Sequence, residues 1–190
     1  MFGLYLKLGI AHIADLQGYD HILFIVMLCA AYTLSRWKRV LVLVTAFTAG
    51  HSITLALATL DVVRPPTAWT EFLIPVTIFL TALSNLRTGD AEKDGAVLKY
   101  AAALFFGLIH GLGFSTYLRS LLGASSSVGM PLLAFNIGVE LGQIAIVLSI
   151  LLLTAILNHL LRVKQRDWIL VLSGAGAGIS LMLIFERFPS

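Results

Sequence analysis

Charge is scarce in this sequence: 12% of its residues are Asp, Glu, Lys or Arg, against about a quarter in an ordinary soluble domain. With 58% hydrophobic residues and a mean hydropathy of +0.93, too little polar surface exists to coat a water-soluble globule. Cysteine is nearly absent. The single Cys29 lies in an apolar run, which excludes an internal disulfide and a thiolate metal cluster and leaves it as a small buried hydrophobe. Met27 is the one methionine close to it, and side chains two apart on a helix point in different directions, so a soft-metal path for copper(I) has little support. The paired-histidine HExxH pattern of zinc hydrolases is missing too. The formal charge of +3 does not indicate nucleic acid, because excess Lys and Arg in a membrane chain sit in cytoplasmic loops and set orientation. The opening MFGLYLKLG has no small-residue cleavage site, so it reads as a mature N-terminus with residues 1–17 forming an interfacial helix.

What the sequence has is apolar length. Runs at about 19–35, 39–60, 70–86, 97–118, 130–160 and 168–186 approach or exceed the ~20 residues needed to cross a bilayer. The breaks between them are charged or turn-forming and too short for a second domain. The expectation is an all-α, polytopic integral membrane protein: one transmembrane domain over residues 1–190 with about six helices. The fifth run exceeds a ~30 Å hydrocarbon layer and should tilt or project from the bilayer. Six crossings put Arg36, Lys38, Arg39, Arg87, Lys93, Lys99, Arg162, Lys164 and Arg166 on one side and Lys7, Arg64, Arg119 and Arg187 on the other. The side richer in basic residues should be cytoplasmic, leaving both termini outside it. The expected location is a bacterial inner (cytoplasmic) membrane.

Ionisable residues inside such runs cost a few kcal/mol or more unless paired or hydrated. Asp20 and His21 open the first run, His51 lies in the second, Glu71 begins the third, His110 lies in the fourth and Glu140 in the fifth. His51 is nine residues from Leu60, His110 eight from Leu118 and Glu140 ten from Met130. At ~1.5 Å per residue these depths agree at roughly 12–15 Å from the outer ends. Asp20, His21 and Glu71 fall above them, as the upper part of a polar funnel would. On the fifth helix Asn136, Glu140 and Gln143 share one face, with Gly138 and Gly142 on the opposite side. Gly107 with Gly111, and Gly174 with Gly178, repeat the small-xxx-small device, which in most membrane helices serves packing alone.

Imidazole nitrogen and carboxylate oxygen suit divalent first-row ions such as nickel, cobalt, zinc, iron or manganese. His21, His51 and His110 with a carboxylate from Asp20 or Glu140 make a coherent site. Each residue also has a plainer reading: an intramembrane His can be a helix-to-helix hydrogen bonder, Asp20 can orient a neighbouring imidazole, and Glu71 can cap its helix. His159 sits at the basic end of its run, and His12 either guards an entrance or is solvated. A membrane-embedded metal-dependent hydrolase, or an accessory protein that holds metal without moving it, would use the same residue types.

The motifs G-Y-D-H-I-L-F at 18–24, F-T-x-G-H-S-I-T-L at 47–55, E-F at 71–72, G-L-I-H-G-L-G-F at 107–114 and F-N-x-G-V-E-x-G-Q at 135–143 together resemble the HupE/UreJ family of small membrane proteins. The resemblance covers most of the chain. It implies a metal permease, chiefly for nickel or cobalt, associated with supplying hydrogenase or urease. It also implies a metal-handling role for Asp20, His21, His51, Glu71, His110, Asn136 and Glu140. The family places a His shortly before its D-H pair, and His12 stands there across seven residues, a longer interval. The resulting expectation is passage of a divalent ion from outside toward the cytoplasm, held by Asp20, His21, His51, His110 and Glu140. His12, Glu71, Asn136 and Gln143 would be secondary or entrance residues. The deep carboxylate offers a place for a counter-transported proton, and falling pH should weaken capture as imidazoles protonate.

Overall fold

The computed structural model describes residues 1–88, 95–122 and 128–189. Lys93 and parts of two expected breaks lie outside these residues. Among the described residues every regular element is helical: α1 (Phe2–Ile13), α2 (Asp20–Ala30), a 3₁₀ turn (Leu34–Arg36), α3 (Trp37–Thr59), α4 (Thr67–Thr88), α5 (Ala96–Gly113), α6 (Ser115–Leu122), α7 (Gly129–His159) and α8 (Gln165–Glu186). The protein is a polytopic all-helical membrane bundle, as the composition required. Five helices (α3, α4, α5, α7 and α8) are long and apolar enough to cross.

The first expected helix is the exception. In place of one span over 19–35 the chain forms α2, with 11 residues, preceded by α1, with 12. At ~1.5 Å per residue neither reaches across ~30 Å, but the two in series do. Their directions agree. Glycines let α1 lie directly on α7: a Cβ on Gly9 would stand 2.9 Å from the Val139 nitrogen, and one on Gly138 would stand 3.0 Å from the Leu6 carbonyl carbon. Gly142 meets Ile10 and Ile13. Residue numbers rise together along both helices, so α1 runs parallel to α7. The Ala30 carbonyl at the end of α2 accepts a hydrogen bond from Gln165 at the start of α8 (3.3 Å), while Asp20 at its start pairs with Arg187 just past the end of α8 (3.0 Å). Both half-helices therefore descend from the end of the bundle where the termini lie toward the end rich in Lys and Arg. In series α1 and α2 have the length and direction of one crossing, broken at 14–19, and α1, within the 1–17 stretch expected to be interfacial, packs along α7.

Local chemistry explains the other boundaries. Pro65 and Pro66 follow the end of α3 and fix an extended lead into α4. Within α4, Pro75 removes a backbone donor. The fourth expected run, 97–118, divides at Phe114 into α5 and α6. Pro131 sits in the first turn of α7, where a missing N–H is tolerated. With 31 residues, α7 is ~46 Å long and exceeds a ~30 Å layer. At the basic end, Asn158 donates to Gln165 (2.6 Å) and the Trp168 indole to Thr154 (3.1 Å), joining α7 to α8.

Candidate metal centre

Close backbone contact between α3 and α5 sets the level of two histidines. A Cβ on Gly107 would stand 2.9 Å from the Phe47 carbonyl carbon and 3.0 Å from the His51 nitrogen, and one on Gly111 would meet the His51 carbonyl. The two helices run parallel in register, so His51 and His110, beside Gly111, share one depth. The α1–α7 contact brings His12 to the same layer, and the start of α2 supplies His21. Ring centroids are 4.6 Å apart for His12–His21, 5.8 Å for His12–His51, 5.8 Å for His21–His51 and 5.1 Å for His21–His110.

One nitrogen from each of His12, His21 and His51 lies within 4.8 Å of the others. Nitrogens on all four rings are buried without a hydrogen-bond partner: Nε2 of His12 and His21, both nitrogens of His51, and Nδ1 of His110. Buried polar atoms are normally satisfied, and leaving one bare costs about 1–3 kcal/mol. The bare nitrogens of His12, His21 and His51, gathered within 4.8 Å, are therefore the arrangement expected where a cation completes them. Metal–nitrogen bonds of ~2.0–2.1 Å are within reach after the rings close in by about an ångström.

Aromatic rings wall this layer. Phe114, at the α5–α6 junction, lies 3.9 Å from His12 and stacks on Phe135 at 5.1 Å. Phe24 and Phe47, 4.7 Å apart, lie 5.0 and 5.1 Å from His110. Near the end of α3, Asp61 pairs with Arg64 and with Arg119 (2.6 Å), and Arg119 also donates to the Ala58 carbonyl. This fastens α6 to α3 beside Phe114.

The other sequence-derived residues are placed as follows. Asp20 is paired to Arg187 through Oδ2, with Oδ1 buried and unpartnered. Glu140 accepts a hydrogen bond from Thr45 (2.6 Å), and Gln143 accepts one from Thr48 (2.6 Å), so the polar stripe of α7 ties it to α3. Asn136 Oδ1 is buried and unpartnered. Glu71, in the first turns of α4, and His159, the last residue of α7, are exposed. His12 is the residue whose role the sequence left open, and the structure brings it to His21 and His51. A signal was present: Gly9-x-x-His12 repeats the spacing of Gly18-x-x-His21 and Gly107-x-x-His110. Phe114 and Arg187 had no signal of that kind. Of the expected glycine pairs, Gly174 and Gly178 face open space, and Gly176 between them receives Met27, whose Cγ would lie 3.3 Å from an added Cβ.

Comparison with curated proteins and with solved structures returned no significant match. The family model for HupE / UreJ protein matches residues 1–187. A match over that length embraces both half-helices, all four clustered histidines and every crossing, and on it the chain belongs to the HupE/UreJ family of membrane proteins.

Proposed function

We propose that this protein moves a divalent transition-metal ion across a membrane, with nickel or cobalt the favoured cargo. Membership of the HupE/UreJ family implies a nickel/cobalt transport-related function, and the family is one of transporters or accessory proteins rather than enzymes. The observation that carries the reading to particular residues is the set of buried, unpartnered imidazole nitrogens on His12, His21 and His51, within 4.8 Å of one another. Neutral imidazole suits nickel, zinc, iron and copper better than magnesium or calcium, which prefer oxygen. His110 lies at the level of His51, with its ring 5.1 Å from that of His21. In this reading Asp20 lowers the cost of bringing a dication to the terminal end of the cluster, and Glu140 remains within the same polar layer. The basic loops support an orientation with the end carrying Arg36, Lys38, Arg39, Arg162 and Lys164 toward the cytoplasm, and the passage proposed is from the terminal end inward.

The test is reconstitution into sealed vesicles enclosing an ion-sensitive dye. Nickel or cobalt should enter with the wild-type protein, and combined His51→Ala and His110→Ala should stop it. Flux unaffected by both changes removes the site assignment, and stoichiometric binding without flux in the wild type replaces transport with an accessory, metal-holding role.

A further inference from the structure

Thr77 on α4 makes two contacts that cannot be exchanged freely. Its hydroxyl donates to the Ile74 carbonyl (2.7 Å), and its oxygen lies 2.9 Å from Nε2 of His110. A threonine hydroxyl has one proton. With that proton on Ile74, the oxygen can only accept from His110, so Nε2 carries the ring proton and Nδ1 carries a lone pair. The reverse assignment puts the threonine proton on Nε2 and the imidazole proton on Nδ1. It would leave the Ile74 contact empty and strand a buried N–H, since Nδ1 has no partner and His110 is 0% exposed. A bare acceptor is tolerated inside proteins more readily than a bare donor, so the first assignment is favoured on both counts.

We propose that Thr77 is a positioning residue that holds His110 as its Nε2–H tautomer and so keeps Nδ1 available as a metal-binding nitrogen beside His21. The inference rests on the metal-transport reading for its purpose, though the tautomer itself can be measured without metal. The ring proton of a metal-binding histidine is usually fixed in this way by a hydrogen bond on its far nitrogen. Here the fixing group comes from α4, a helix that contributes no histidine. Its orientation depends on a hydroxyl anchored to the carbonyl just before Pro75.

The experiment has two arms on purified full-length protein. In the first, metal-free protein labelled with ¹⁵N-histidine is examined by NMR, with His110 assigned by its loss in His110→Gln. Wild type and Thr77→Ser should show a protonated Nε2 and an unprotonated Nδ1, and Thr77→Val should show a mixture or the opposite tautomer. In the second, nickel titration should give Thr77→Val an affinity about 10–100-fold weaker, restored by Thr77→Ser. A wild-type His110 protonated on Nδ1, or a Thr77→Val protein with wild-type tautomer and affinity, overturns the proposal. Should Thr77→Val fail to fold, the wild-type and Thr77→Ser spectra still decide the tautomer. Absence of nickel binding by the wild type defeats the transport reading and leaves the tautomer assignment to stand or fall on the first arm.

Discussion

Replacing His51 by leucine separates a ligand from a packing residue, because the two roles predict opposite signs. His51 is 0% exposed and neither of its ring nitrogens has a partner. A neutral imidazole has one donor and one acceptor, neither of which finds a protein partner at His51, and burying such a group costs on the order of 1–3 kcal/mol. Leucine is close to histidine in volume and has no polar atom, so it can keep the contact with Phe47, 6.1 Å from the His51 ring, without that penalty. His51→Leu should therefore stabilise the metal-free protein by on the order of 1–3 kcal/mol, whereas most core substitutions destabilise. The same change removes one of three nitrogens. A ligand at a hundred times its Kd stabilises the native state by about 2.7 kcal/mol, and this metal-dependent gain should largely vanish. The assay is unfolding of the purified protein in detergent, by heat or denaturant, with and without nickel. A variant that is less stable without metal yet keeps the full nickel-dependent shift would refute the reasoning.

Gly107→Ala should destabilise by about 1–3 kcal/mol, since the new methyl meets the backbone of Phe47 and His51, while Gly174→Ala, where nothing lies within 4 Å, should be neutral or stabilising by up to ~1 kcal/mol. Equal effects in an unfolding comparison would contradict the close α3–α5 contact. Glu140→Gln should leave nickel stoichiometry unchanged in equilibrium dialysis, because the carboxylate is engaged by Thr45, and loss of binding would make Glu140 a direct ligand. Hydrogen bonding from Arg64, helped by the charges of Arg119 and Arg64, holds the Asp61 carboxyl below its ordinary range. Its contribution is thus present above a pH of about 4 and disappears as pH falls through the depressed value. The gap in thermal midpoint between wild type and Asp61→Asn should be small at neutral pH, shrink with salt and close in acid. A gap that persists undiminished in acid would count against the carboxylate pairing.

Much of the layer was legible because it is written in local spacing. Gly50-His51 and Gly107-x-x-His110 couple a small residue to a ligand type, so the residue that allows close approach also sets the histidine's depth. The broken first crossing was not legible. Residues 2–13 are as apolar as a span, and hydropathy alone does not reveal that two short helices share one passage. The partners of the carboxylates were equally hidden, since Glu140 meets Thr45 95 positions away and Asp20 meets Arg187 167 positions away. Spacing could not choose among Gly174, Gly176 and Gly178 either, because the alternation at 174–178 offers a small residue on several faces. Only the neighbouring Met27 makes that choice.

The divided first crossing has a mechanical consequence. Its upper piece is packed on α7 through the glycine contacts, and its lower piece is fastened to α4 by the bond from Asn85 to the Met27 carbonyl (2.8 Å) and to α8 at Gly176. Residues 14–19 form a seam between two parts of the molecule, and His12 and His21 face each other across it. An ion gripped by both rings would act as a rivet across that seam.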